Sequence, residues 1–245
     1  MDKEKIKFHV GTSGWSYLHW RARFYPINLN NYKWLEYYAK HFNTTEVNMT
    51  FYRWPKENML KNWYKRTPSH FSFTLKAPKI ITHIKKLTGI KKIVRDFYTL
   101  ADLLKEKLAC ILFQLPPSLK FNKDKLQHFL NTLDKNYNNV IEFRHPSWWQ
   151  EDTYNLLMNH KIIFCVVSAS QLPQDIIITS NVCYFRFHGL EWYRSNYPKD
   201  ELKKWAEKIK KAAKKCKQIY CYFNNDYNAY AVNNALELKK LLKIE

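Results

Sequence analysis

Short apolar runs recur along the chain, and between most of them the apolar spacing widens from a period of two to that of a helix. IKFHVGTSGW reads as a strand entering a glycine-containing turn, followed by an aromatic-rich loop over Trp15–Pro26. Trp34, Leu35 and Tyr38 predict a helix over Asn31–His41. TTEVNMTFYR alternates β-branched and polar positions and predicts a second strand with Glu46, Asn48 and Thr50 on one face. A helix over Lys56–Arg66 stops at Thr67-Pro68. FSFTLKAPKIITH predicts the third strand, with Lys76 just ahead of Ala77-Pro78, and a longer helical region covers Lys91–Lys107.

LACILFQLPPS is a fourth strand, which two prolines stop just after Gln114. A helix over Lys123–Asp134 leads to NVIEFRHPSWW, Asn139–Trp149. Val140 and Ile141 there suit a buried strand, with Glu142 and Arg144 on one face and Phe143 on the other. Glu151–His160 is helical, IIFCVVSAS is a sixth strand, and Gln171–Ser180 is an irregular connection. NVCYFRFHG is the seventh strand, with Arg186 and His188 on one face and Gly189 at its end. A lysine-rich helix over Lys199–Lys217, an eighth strand in QIYCYFNND and a helix over Tyr230–Ile244 complete the chain.

Eight strands, mostly separated by helices and with no break in composition, predict one domain over residues 1–245. The class is α/β, a single (β/α)8 TIM-type barrel with a parallel eight-stranded sheet, and the length suits a fold of about 250 residues. A doubly wound sheet is the alternative. It would call for a Gly-rich phosphate loop, but GTSGW lacks that spacing and the chain has only 4 glycines. NAD, FAD and haem are therefore not expected.

Charge and cysteine usage narrow the setting. The charged start MDKEKIKFHV is unlike a signal peptide, and no run reaches transmembrane length, so a cytoplasmic protein without a membrane partner is expected. Cys110, Cys165, Cys183 and Cys221 lie in apolar runs and read as core thiols. The net charge is +20, which an anionic small molecule or nucleic acid would explain, as would solvated lysine faces. In Lys199–Lys217 the apolar Leu202, Trp205, Ile209 and Ala213 share one helix face, which favours the solvated reading there. Oligomeric state is not readable from the sequence.

A barrel places its chemistry where strands end and helices begin. The polar residues at those exits are Glu46, Asn48, Lys76, His83, Gln114, Glu142, Arg144, His145, Arg186, His188 and Asn224–Asp226. Glu46 or Glu142 could serve as general acid or base, and His188 could transfer a proton. Lys76, Arg144 and Arg186 would neutralise anionic charge, while Asn48, Gln114, Asn224 and Asn225 would orient a substrate. Glu46, Glu142, His145, His188 and Asp226 form a candidate ligand set for Mg, Mn or Zn, although HxH and HExxH spacings are absent. The competing account makes Glu142 and Arg186 a structural ion pair, and the Asn residues turn-formers.

The ordered blocks GTSGWSYLHW with FYP, TEVNMTFYRWP, TLKAPKIITH, FQLPPS, IEFRHPSW, YFRFHG and YFNND resemble the YecE-like family, domain of unknown function 72, from Gly11 to Leu242. The resemblance implies a TIM-type barrel and supplies no activity. Two positions depart from that family's pattern: Val167-Ser168 stands where an Asp is usual, and Ala229 where a Gly is common.

The leading expectation is a hydrolase or lyase acting on a phosphorylated or nucleic-acid substrate at the C-terminal face. A non-catalytic nucleic-acid binder, gripping a strand with Trp15, Tyr17, Trp20, Trp54 and Trp148, is the first alternative. A sugar or small-metabolite enzyme is the second.

Overall fold

Eight parallel strands order the chain: β1 (Lys7–Thr12), β2 (Thr44–Val47), β3 (Ser72–Lys76), β4 (Leu108–Gln114), β5 (Asn139–Glu142), β6 (Ile163–Ala169), β7 (Val182–Gly189) and β8 (Gln218–Phe223). The computed structural model describes residues 6–189, 191 and 194–244. From β2 to β8 each strand pairs with the next, and β8 pairs with β1. The remaining seam, between β1 and β2, is bridged in parallel at Ser13 and Glu46. The sheet is thus a nearly closed barrel, the (β/α)8 TIM type.

The helices are α1 (Trp34–Tyr38), α2 (Met49–Tyr52), α3 (Glu57–Lys65), α4 (Lys91–Ala101), α5 (Lys123–Leu130), α6 (Glu151–His160), α7 (Lys199–Ala213) and α8 (Tyr230–Leu242). They are not distributed one per strand. Both α2 and α3 follow β2, and no helix joins β6 to β7. Among the described residues no helix is long and apolar enough to cross a membrane.

Strand alternation sorts the core into two bodies. Cys110, Leu112, Val140, Cys165, Val167 and Tyr184 cluster inside the barrel. Their odd-even partners Ile111, Phe113, Ile141, Phe185 and Phe187 pack outward against the helices. On α7, Leu202, Trp205, Ile209 and Ala213 are buried, as the apolar spacing requires. Within this inner body the Tyr222 hydroxyl lies 2.6 Å from Thr44 Oγ1 and 3.0 Å from Thr74 Oγ1.

Three segments differ from the sequence expectation. The strand expected in TTEVNMTFYR ends at Val47, where pairing with β3 ends, and the chain turns at once into α2. Asn48 and Thr50 therefore do not continue the strand face of Glu46. Instead Thr50 Oγ1 lies 2.9 Å from the Val47 carbonyl and 2.6 Å from the Lys76 carbonyl, tying the two strand ends together. In APKIITH, β3 stops at Lys76 and Ile80–Ile84 winds into a single π-helical turn, since Pro78 has no N–H for a ladder. The helix expected over Lys91–Lys107 breaks after Ala101 and continues as a 3-10 stretch in which Lys105 takes a φ of 48°.

The loop over Trp15–Pro26 packs down rather than standing open. Trp20 and Tyr25 are buried, and the Tyr25 ring stacks on Trp34 at 4.6 Å. Trp20 Nε1 donates to the Asp226 carbonyl at 3.0 Å, linking this loop to the end of β8. All five cysteines are free and buried, and the thiols of Cys183 and Cys216 lie 3.0 Å apart.

Candidate functional site

At the mouth, side chains from β2, β5 and β7, no two of which are paired, converge on an ionic lattice. Arg186 on β7 reaches Glu46 on β2 through Nη2, at 2.6 Å, and Glu142 on β5 through Nη1. Glu142 also accepts from Arg144 Nε and lies 3.2 Å from His188 Nε2. Ser13 Oγ donates to Glu46 Oε1 at 2.7 Å, and the Tyr184 hydroxyl donates to the other carboxylate oxygen. Glu46, Glu142, Arg186 and His188 are each 0 % exposed. Such charges survive burial only when every one is paired, so the lattice is a cooperative unit.

Electrostatics assign the protonation states. Burial pushes Glu142 upward, but Arg144 and Arg186, with His188, hold it well below the usual carboxylate range. Burial lowers Arg186 too, and Glu142 and Glu46 reverse that, so it stays a cation. His188 is brought down to about 3 by burial and by Arg144, and is neutral near pH 7. Its Nε2 is 3.1 Å from Arg144 Nη2, and its Nδ1 is 3.2 Å from the Asn224 amide.

A second tier lies above the lattice. Lys76 is 7 % exposed and Asn224 8 %, while Asn48 and Gln114 are half-buried. Lys76 Nζ donates to Gln114 Oε1 at 2.6 Å and sits 4.2 Å from the centre of the Phe51 ring. Burial, and secondarily Arg186, lower Lys76 to about 7. Its charge therefore changes near neutral pH. Asn48 Nδ2 donates to Asn224 Oδ1 at 3.3 Å, so the end of β2 is coupled to His188 through one intervening amide.

Other predicted residues fall outside the cluster. His145 turns its Nδ1 to the Ser147 backbone N–H at 3.1 Å, capping the short helical turn Pro146–Trp148. Asp226 approaches His19, with 3.8 Å between Oδ2 and Nε2. Asn225 Nδ2 donates to the Ser195 carbonyl and to Asn234 Oδ1, both at 2.9 Å, and so fixes the segment after β7 against α8. His83 packs edge-on against Phe51. Trp148, a stacking candidate only under the nucleic-acid alternative, is fully buried with its Nε1 donating to the Leu119 carbonyl.

The same geometry tests the expected metal set. Among the described residues no three His, Cys, Asp or Glu side chains converge as a metal requires. Glu46 and Glu142 both hold Arg186, so a divalent ion would have to displace a buried guanidinium. The donor set does not fit Mg, Mn or Zn.

Ser13, Tyr184 and Phe51 belong to the mouth and are not singled out by the sequence, which names Thr50 only as sharing a strand face with Glu46. Tyr184 had a signal: it stands two positions before Arg186 on β7 and so shares its face. The two departures also have structural counterparts. Ser168 is buried and its Oγ accepts from Tyr197 at 2.8 Å, whereas Ala229 takes a φ of +61°.

Comparison with known proteins agrees with this architecture. The family model described as "Protein of unknown function DUF72" matches residues 9–245. A similar solved structure is a DUF72 family protein of Thermotoga maritima, 33% identical with a TM-score of 0.90, covering 97% of this chain and 99% of that one. UPF0759 protein YunF of Bacillus subtilis is 25% identical over 97% of this chain and 95% of its own length. UPF0759 protein YecE of Escherichia coli is 31% identical over 60% of this chain and 53% of its own. The chain belongs to the DUF72 family.

Proposed function

We propose that the protein is a hydrolase or lyase that acts on a small phosphorylated or otherwise anionic substrate at the C-terminal mouth of the barrel, with Lys76 moving the proton. The observation that carries this reading is the position of the Lys76 amine, at the top of the lattice and hydrogen-bonded to Gln114. As a neutral amine it accepts a proton from water or from a carbon beside a carbonyl, and as an ammonium it returns one to a leaving group. Arg144, with its side chain 6% exposed, is the second cation a ligand meets. Glu46, Glu142, Arg186 and His188 lie beneath and act as positioning residues, holding Arg144 and the strand ends in place. Five free thiols suit the reducing cytoplasm.

Calorimetric titration with inorganic phosphate, alongside turnover of a sugar-phosphate panel, tests the proposal. Binding weakened about tenfold or more in a folded Lys76→Met variant, with turnover lost, supports it. Phosphate binding indifferent to Lys76 would sink it. The +20 charge favours a second reading, a nucleic-acid binder. Oligonucleotide binding that falls steeply with salt and ignores Lys76→Met would transfer the function to the lysine surface.

A further inference from the structure

Beside the mouth, between the loops after β1 and β2 and the outer helices, lies a cavity of about 480 Å³. Its walls are Trp15, Tyr17, Met49, Tyr52, Met59 and Trp63, with amides from Asn31 and Asn48. The size falls within the range of about 300–1,000 Å³ typical of small-molecule sites. Trp15 and Trp63 meet edge to face at 5.3 Å, and Tyr52, 70% exposed, stands at the rim. Gly14, also on the wall, has a φ of +101°, and a Cβ there would come within 2.8 Å of the Tyr17 hydroxyl. Glycine is thus required for this loop to bend around the space.

The cavity adjoins the charged mouth through α2. Phe51 lies under the Lys76 amine, while Met49 and Tyr52 of the same turn face the cavity. Asn48 lines the cavity and bonds Asn224, the residue beside His188. Its Oδ1 is buried without a partner, so its amide has an unmet demand at this junction. The cavity's own cation, Arg66, is already satisfied by both oxygens of Glu36, at 2.9 and 2.7 Å. An anionic group is therefore not what this space selects. Aromatic and thioether walls favour a flat ring, and the two amides suit heteroatoms on its edge.

We propose that the cavity takes the ring of the same ligand whose anionic group meets Lys76 and Arg144, so that the substrate is an anion carrying an aromatic or heteroaromatic group. This rests on the anion-site reading above. Tryptophan fluorescence titration with phenyl phosphate, inorganic phosphate and benzyl alcohol separates the two. Phenyl phosphate should bind about tenfold or more tightly than inorganic phosphate. That advantage should disappear in Met59→Trp, which fills the cavity, and shrink in Tyr52→Ala, whose exposed rim position is remote from folding. If phosphate binds and phenyl phosphate gains nothing, the cavity inference is overturned and the anion site stands. If neither anion binds, the anion reading fails, and benzyl alcohol decides the cavity alone. Quenching by the alcohol that Met59→Trp abolishes upholds the ring site, and no quenching ends it.

Discussion

Arg186 on β7 and Glu142 on β5 meet inside the barrel mouth, Nη1 to Oε2, with neither side chain exposed to solvent. Neither strand pairs with the other, since β6 lies between them. The ion pair is therefore a cross-barrel tie, and losing Glu142 removes the carboxylate that Arg144 and Arg186 share and leaves Glu46 as the one carboxylate on Arg186. Glu142→Gln should destabilise the fold by about 3–5 kcal/mol. Urea denaturation followed by circular dichroism reads this directly. Glu142→Gln combined with Arg186→Leu should cost less than the sum of the two single changes, because each alone already breaks the Glu142–Arg186 pair. Strict additivity would show that the lattice is not a unit.

The same pair sets the acid limit. Glu142 has a folded pKa below its usual 4.5, so its stability contribution is fully present above that value and is lost as pH falls through the folded one. His188, lowered from 6.5 to about 3, works in the same direction: its contribution is present above 6.5 and lost as pH falls through about 3. Gln at position 142 imitates the protonated acid. The gap in urea midpoint between wild type and Glu142→Gln should thus be widest at neutral pH and close on acidification. A gap that stays constant to the acid edge would contradict the assigned ionisation.

Lys76 titrates on the other side. Its pKa is lowered from 10.5 to about 7, so its stability contribution is complete above 10.5 and declines as pH falls through 7. For an anion the sign reverses, because only the protonated amine attracts it. Sulfate, which keeps its charge throughout, should bind about tenfold more weakly at pH 8 than at pH 6. Lys76→Arg, whose charge is fixed, should flatten that profile.

Much of this was legible because the barrel obeys the strand period. Glu142 with Arg144, Arg186 with His188, and Lys76 before its proline all end strands in the sequence, and all lie at the mouth. Where the period breaks, legibility ends. Asn48 and Thr50 alternate with Glu46 on paper, but the chain coils into α2 after Val47, where its pairing with β3 stops. His145 and Asp226 looked like ligands by composition. Local geometry directs one to Ser147 and brings the other to His19, and residue type does not encode direction. The division of the mouth into a buried lattice and a reachable tier was also invisible, since burial depends on all eight strands at once.

Ala229, where the sequence reading expects a glycine, carries a local backbone cost. It adopts a φ of +61° at the entry to α8, a region that penalises any Cβ. Ala229→Gly should therefore stabilise the fold, by up to about 1 kcal/mol once the greater entropy of the unfolded glycine is subtracted. The gain should appear as a higher urea midpoint with an unchanged slope. A loss of stability would mean that the Ala229 methyl packs more favourably than its backbone suffers.

All five cysteines are buried, but among the described residues only Cys183 on β7 and Cys216 just beyond α7 bring their thiols into contact, 3.0 Å apart. The pair is asymmetric: the contact with Cys216 and burial raise Cys183, while Cys183 draws Cys216 below its usual value. Either thiol can donate across this contact, and whichever ionises is the attacking group. Diamide should take two electrons and two protons from this pair, forming one disulfide and leaving the other three thiols reduced. Peptide mapping after alkylation identifies the link. Cys216→Ser should abolish it and leave Cys183 open to alkylation once the protein is unfolded. Oxidation scattered over all five cysteines, or none before unfolding, would show that proximity at this position does not translate into reactivity.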